Sequence, residues 1–225
     1  MKFPGLLFST IVKTDDNNLF EDIVGCDDIK QLFRMVLHAD SALHILLVGP
    51  PASAKTMFLT SLMRQVKNSY FTDGGNSTKA GMIGYVFENR PKYLLIDELD
   101  KMDPKDQAVL LNLMETGMVT ETKSGKTRST QVKTYVFATS NNTKKVSAPL
   151  QSRFFIVEVE PYRYEQFCDI TNELLSSHNI DEGVSNMIAY AVWNKSRDVR
   201  DCVKIGKIAR TMKDAEFIVD KFFQP

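Results

Sequence analysis

Cysteine is scarce in this 225-residue sequence. The three present, Cys26, Cys168 and Cys202, are far apart, odd in number and never paired as CxxC. That excludes a disulfide scaffold and argues against a zinc site; small packing side chains in a reducing cytoplasm are expected instead. The three histidines, His38, His44 and His178, have no ligand-type partners beside them in sequence, so no metal chemistry is assigned to them. Net charge is also missing, with 28 Lys and Arg against 28 Asp and Glu. Nothing therefore draws the whole surface to nucleic acid or anionic lipid, and any such contact must come from a local patch. No apolar run approaches the ~18 residues of a membrane span. The stretch 6–12, behind a single Lys2, is too short and too weakly flanked for a signal peptide and reads as an N-terminal strand or packing arm. There is no repeat and no low-complexity tract. At 43% apolar and 25% charged residues, the composition is that of an ordered globular chain. The length fits one large domain or two small ones and leaves little room for a separate recognition module.

What is present is an alternation of compact apolar runs with helical patterns. Residues 44–48 (HILLV), 93–96 (YLLI), 135–138 (YVFA) and 155–159 are continuous apolar runs. Runs of this length fit strands buried on both faces of a parallel sheet covered by helices. Residues 27–38 carry Ile29, Leu32, Phe33 and Val36 at helical spacing, and Asp103-Pro104 reads as an N-cap and first-turn proline for a helix to Glu115. After Pro161 only helical patterns remain, over 164–174, 184–191, 199–210 and 215–223, with Trp193 expected in their core. The plan is an α/β domain over 1–160 and a small all-helical domain over 161–225.

The chemistry concentrates at the ends of the apolar runs. Gly49-Pro50-Pro51-Ala52-Ser53-Ala54-Lys55-Thr56 follows one run and opens a helix (MFLTSLMRQV). That is the setting of a phosphate-binding loop. Backbone N–H groups and the helix N-terminus favour a phosphate chain. Lys55 would reach the β and γ phosphates, and Thr56 would ligate Mg²⁺. The usual GxxxxGK[ST] pattern has a second glycine where this chain has Ala54. An alanine can hold a right-handed helical backbone and adds only a methyl, so the loop is expected to survive. Asp97 and Glu98 end the run at 93–96, at the edge where open α/β sheets bind ligands. Asp97 would join the magnesium shell, and Glu98 would take a proton from, or orient, an attacking water. Asp100, Lys101 and Asp103 are assigned to an exposed connector. Asn141 closes the polar end of the third run. Arg153 lies at a turn before the fourth run, and Arg197 and Arg200 open a late helix. A guanidinium at either place suits charge on a transferring phosphoryl group.

Taken in order, these segments resemble the AAA+ ATPases over essentially the whole chain, from Phe20 (FEDIVG, like the segment that flanks adenine) to the last helices. The resemblance implies ATP and Mg²⁺ as ligands, with Ile23 and Val24 beside the base. It further implies Asn141 as sensor 1, Arg153 as an arginine finger acting on a neighbour's nucleotide, Arg200 as sensor 2, and self-association into a hexameric ring. HILLVGPP, SAPLQSRF (147–154) and SRDVRDCVKIGKIAR (196–210) are similar to the P-loop, finger and sensor-2 segments of the RuvB-type Holliday-junction branch-migration motors. The chain ends after its lid, where that family continues into a winged-helix domain, which puts autonomous DNA engagement in question. Residues 118–135 resemble the hairpin that family inserts before sensor 1. Its arms are expected at 118–121 and 131–134, with a tip near Ser124-Gly125. Ala54 looks more like the minichromosome-maintenance helicases, which also carry an inserted hairpin. Basic residues cluster at Lys123, Lys126, Arg128 and Lys133 against Glu121, and again between 194 and 213. The load is therefore either DNA, met directly or through a DNA-binding adaptor protein at the hairpin near Lys123–Arg128, or a protein to be remodelled. A nucleotide-dependent switch with little turnover is the third option.

Overall fold

The computed structural model describes residues 19–123, 126–209 and 211–222. The expected N-terminal arm at 6–12 and hairpin tip at 124–125 lie outside the described residues.

The chain runs α1 (Asp27–Leu37), β1 (Ile45–Val48), α2 (Lys55–Gln65), β2 (Ser69–Asp73), α3 (Lys79–Asn89), β3 (Tyr93–Asp97), a 3-10 turn (Leu99–Lys101), α4 (Pro104–Thr116), β4 (Met118–Lys123), β5 (Lys126–Gln131), β6 (Tyr135–Ser140), α5 (Ala148–Gln151), β7 (Phe155–Glu158), then α6 (Tyr164–Ser176), α7 (Glu182–Trp193), α8 (Val199–Ile208) and α9 (Met212–Phe222). Five strands form a parallel sheet in the order β2-β3-β6-β1-β7. The alternation of side chains along each strand divides the sheet's apolar residues between two cores. Ile45, Leu47, Tyr93, Leu95, Tyr135 and Phe137 face α1 and α2. There Phe20, Phe33, Phe58 and Phe137 pack ring on ring, with centroids 5.0–5.4 Å apart. Leu46, Leu94, Ile96, Val136 and Ala138 face α3 and α4. Both faces of the central strands are thus covered, as continuous apolar runs require.

The two outer strands depart from the sequence expectation. β2 has no continuous apolar run; its residues are only half-buried, as suits a sheet edge. β7 was expected to be buried on both faces, yet Phe155 is 60% and Ile156 40% exposed. Among the described residues it is the other outer strand, paired only with β1.

The inserted hairpin pairs Met118 with Gln131 and Lys123 with Lys126. Its second arm is therefore Lys126–Gln131 rather than 131–134, and Val132 through Thr134 form the return to β6. Gly117 at its root has φ +70°, and a Cβ there would lie 2.5 Å from the Val132 carbonyl oxygen. A glycine is what that close approach permits.

α6 to α9 enclose a third core of Phe167, Ile188, Val192, Cys202, Ile205 and Ala215, with Trp193 packed at its side. Tyr162 packs against both this core and the α1–α2 core. None of the cysteines is in a disulfide; Cys202 is buried, and Cys26 and Cys168 are only half-buried, less sequestered than their packing role implied. Among the described residues, no helix is long and apolar enough to cross a membrane.

Candidate active site

The strand order decides where the polar residues meet. β6 lies between β3 and β1, so the C-terminal ends of three adjacent strands deliver Asp97, Asn141 and the 49–54 loop to one sheet edge, the edge where parallel sheets hold ligands. A cleft of about 360 Å³ opens there, within the range of small-molecule sites. Its walls are Pro51 to Met57, Thr60, Asp97, Glu98, Thr139, Ser140, Asn141 and Tyr162, with Asp198, Val199 and Arg200 from α8 and its N-cap opposite.

Gly49 begins the loop with no room for a side chain: a Cβ would stand 2.3 Å from the Val159 carbonyl oxygen. Ala54 holds φ −63°, ψ 1°, a negative-φ backbone that does not call for glycine; the methyl is buried. Lys55 then opens α2. Its Nζ donates to the Gly49 carbonyl (2.8 Å), the Pro50 carbonyl (2.6 Å) and Ser53 Oγ (3.0 Å). Three bonds occupy the three ammonium protons. Burial lowers the Lys55 pKa, and the nearby Asp97, Asp100 and Glu98 oppose that drop. The loop thus holds the ammonium on two of its own carbonyls and one hydroxyl.

Thr56 Oγ1 donates to both carboxylate oxygens of Asp97 at 3.1 Å. Thr139 Oγ1 donates to Asp97 Oδ1 and accepts the Glu98 N–H at 2.9 Å. Glu98 has a left-handed backbone (φ 53°, ψ 50°), costly for a non-glycine residue, and the Thr139 hydroxyl helps hold it there. Its carboxylate pairs with Lys101 at 2.6 Å. The hydroxyl of Thr56 and the carboxylate of Asp97 form a hard-oxygen pair of the kind Mg²⁺ accepts alongside phosphate and water, so these two residues fit that ion.

One residue of the connector after Glu98 departs from the exposure expected. Asp100 is buried at 8% exposure and accepts the Asn141 N–H at 3.1 Å, which fixes the backbone from which Asn141 faces the cleft. Lys101 is exposed as expected and pairs with Glu98. Asp103 is exposed too, capping α4 through the Lys105 N–H at 2.8 Å.

Arg200 lines the cleft and is bidentate on Asp198, with Nε 3.0 Å and Nη2 2.6 Å from its oxygens. Burial alone would raise the Asp198 carboxyl, but the hydrogen bonds and charge of Arg200 outweigh it and hold the pKa low. Arg197 is not at the cleft; its guanidinium lies 4.8 Å from the centroid of the Trp193 ring.

The MCM P-loop domain family matches residues 16–152, from before α1 to the end of α5. This chain belongs to that family. It is a P-loop domain of the AAA+ fold. Among curated relatives, the DNA replication licensing factor Mcm6 of Anopheles gambiae is 25% identical over 179 residues, covering 61% of this chain and 22% of the relative. Zygotic DNA replication licensing factor mcm6-A of Xenopus laevis is 23% identical and covers 91% of this chain and 30% of the relative. The chain thus spans less than a third of the length of these relatives. In fold it is similar to the Thermotoga maritima RuvB Holliday junction branch migration motor, with a TM-score of 0.66 and 20% identity over 88% of this chain and 69% of that one.

Within this MCM P-loop domain, some expected residues do not come to the cleft. Ile23 is 1% exposed and packed in the α1–α2 core; neither it nor Val24 is among the lining residues. The FEDIVG segment supplies packing there, because Phe20 and Ile23 are both drawn into the aromatic cluster. Arg153 is also away from the cleft, paired with Glu115 at 2.8 Å. Conversely, sequence reasoning missed Thr139, Asp100, Asp198 and Tyr162. Thr139 and Asp198 carried a usable signal, a polar strand end and an Asp at a helix N-cap position. Tyr162 carried none, since only the approach of α6–α9 to the sheet makes it a wall. Its phenol pKa is raised by burial and by Cys26.

Proposed function

We propose that this chain is the ATP-hydrolysing motor domain of a ring that processes DNA. The observation that carries the reading is the convergence of Lys55, Thr56, Asp97, Glu98 and Asn141 on one sheet-edge cleft, with Arg200 facing them from α8. The names of its relatives, replication licensing factors and a branch migration motor, support DNA as the load.

ATP would lie with its phosphates along the 49–56 loop, Lys55 leaving its three loop acceptors for the β and γ oxygens. Thr56 and Asp97 would hold Mg²⁺, which screens the phosphate charge when bound. Glu98 would orient a water and receive its proton as the water oxygen attacks the γ phosphorus and the bond to the β-phosphate bridging oxygen breaks. For that its carboxylate must leave Lys101. Asn141, fixed by Asp100, would position the water against the γ phosphate. Arg200 would leave Asp198 to meet the charge of the transferring group. We assign residues 161–225 as a lid that moves with nucleotide state, hinged near Pro161 and Tyr162. Arg153, far from its own cleft, would complete the site of the next subunit. That demands a head-to-tail contact, which closes into a ring when the rotation allows; six subunits are proposed. We place the protein in the cytoplasm or nucleus.

A second reading has its own observation. The hairpin's basic residues are partly engaged within the chain: Arg128 pairs with Glu121 at 2.6 Å and stacks over Phe87, and Lys133 donates to the Asp40 carbonyl. That weakens a phosphate-binding hairpin and favours a protein partner there, an adaptor or a remodelled client. The test is the ATP turnover rate against single-stranded, duplex and four-way-junction DNA, with binding followed across a salt series. Stimulation with a salt-sensitive affinity supports the DNA motor. Turnover indifferent to every DNA form transfers the proposal to the protein-remodelling ATPase.

A further inference from the structure

Arg153 does not stand alone at its turn. Nη2 donates to Glu115 Oε1 at 2.8 Å, and Nη1 to Ser152 Oγ at 3.3 Å. Glu115 is in the last turn of α4, which carries no basic residue of its own. A carboxylate there opposes the helix dipole, so helix stability does not explain its presence. The pair is also substantially exposed, at 38% for the arginine and 49% for the glutamate. Exposed pairs of this kind add little to stability. What the contact does fix is the direction of a guanidinium that would otherwise sweep freely from a surface turn.

α4 holds the rest of the same segment too. Gln107, near its start and 1% exposed, donates to the Met102 and Lys145 carbonyls and accepts the Ser147 N–H at 2.9 Å. The chain from 145 to 153 is thus fastened to α4 near both of that helix's ends.

The residues that follow Glu115 belong to the hairpin root. Thr116 accepts the Met118 N–H on its hydroxyl (3.0 Å) and the Gln131 side-chain amide on its carbonyl (3.2 Å). The Gly117 carbonyl accepts the Val132 N–H at 2.9 Å. Three successive residues, 115 to 117, therefore join Arg153 to both arms of the hairpin.

We propose that Glu115 is a positioning residue for Arg153, and that through the hairpin root it makes the placement of the arginine depend on the hairpin. This rests on the reading that Arg153 completes a neighbour's site. A hairpin displaced by its load would then shift Glu115 and, with it, a group that acts on the adjoining nucleotide. Small misplacements of a positioned group cost up to about 100-fold in rate.

The experiment uses the full chain and steady-state ATP turnover. Glu115→Ala should lower kcat by about 2- to 5-fold with KM nearly unchanged, the most that so exposed a pair can impose on the arginine's direction, and Glu115→Asp should restore part of it. Combined with Arg153→Ala, Glu115→Ala should cause no further loss, because it acts only through that side chain. Additive losses would overturn the proposal. Mixing each variant with Lys55→Ala subunits separates the levels. Arg153→Ala regains activity in the mixture if the arginine acts in trans, and Glu115→Ala should regain it in the same proportion. Rescue of Arg153→Ala without rescue of Glu115→Ala defeats the proposal and leaves the trans reading standing. Failure of both removes the trans reading and the proposal with it. Thr116→Val, which removes the root bond from the Met118 N–H and the hydroxyl's bond to the Asn112 carbonyl, should reduce kcat in the same rescuable pattern; unchanged turnover in that variant, folded by circular dichroism, would cut the hairpin out of the proposal.

Discussion

Thr139→Val removes one hydroxyl while keeping the side-chain volume. Thr139 is 1% exposed, and its hydroxyl has two partners, the Glu98 N–H it accepts at 2.9 Å and the Asp97 carboxylate to which it donates. Leaving a buried N–H unpaired costs about 1–3 kcal/mol, and a hydrogen bond to a charged group contributes about 1.5–3 kcal/mol. Asp97 keeps its bonds from Thr56 and faces an open cleft, so the second loss falls near the bottom of its range. The sum is about 2.5–4.5 kcal/mol. For a chain of this size that lowers the melting temperature by about 5–18 °C. Urea unfolding at unchanged m-value would measure it. Thr139→Ser keeps both hydrogen bonds and loses one methyl, about 1 kcal/mol, and should be the more stable of the two. The catalytic consequence is separate. An Asp97 freed on one side should raise the Mg²⁺ concentration needed for half-maximal ATP turnover in Thr139→Val. A valine variant within about 0.5 kcal/mol of the parent, or less harmed than the serine, would refute the role given to this hydroxyl.

Three further outcomes follow from the geometry. Gly49→Ala places a Cβ 2.3 Å from the Val159 carbonyl oxygen; it should cost about 1–3 kcal/mol in urea unfolding and abolish retention on immobilised ATP. His44 accepts the Val136 N–H on Nδ1 at 3.0 Å, and burial lowers its pKa. Its stabilising contribution is therefore complete above the unfolded value near 6.5 and is lost as pH falls through the folded value. The parent should lose more melting temperature between pH 7.5 and 5.5 than His44→Gln does. Arg200→Ala should leave Asp198 at the cleft without its guanidinium partner and reduce kcat about 10- to 1000-fold, read by steady-state turnover, whereas Arg197→Ala, whose partner is Trp193, should change it little.

Much of this architecture was legible because the central strands must be apolar throughout. Residues 45–48, 93–96 and 135–138 are covered on both faces, so they stand out as uninterrupted runs that lead into Gly49, Asp97 and the polar strand end before Asn141. β2 and α3 went unread because SYFTD at a sheet edge is half-buried and carries no such run, and helix α3 mixes Gly81 and Gly84 into its pattern. Ile23 was misplaced for the opposite reason: motif position suggested a ligand contact, and hydrophobic burial beside Phe20 prevailed. Asp100 was misread as solvent-facing because charge normally marks exposure. Only the neighbouring strand shows the N–H that satisfies it. The basic residues counted along the hairpin and along α8 are likewise partly neutralised in space: Arg128 by Glu121, Arg200 by Asp198 and Lys204 by Asp201. Composition cannot see such pairing, since it counts charges and not their partners.

The most direct test of the cleft as a hydrolytic ATP site compares Glu98→Gln with the parent, measuring nucleotide binding and phosphate release on the same preparations. Glu98 can be removed from the chemistry without touching the 49–56 loop. MgATP should bind Glu98→Gln within a few-fold of the parent affinity, while phosphate release falls by about 100- to 10,000-fold, the usual worth of a positioned general base. Phosphate release at the parent rate, or affinity lost in parallel with turnover, would contradict the assignment.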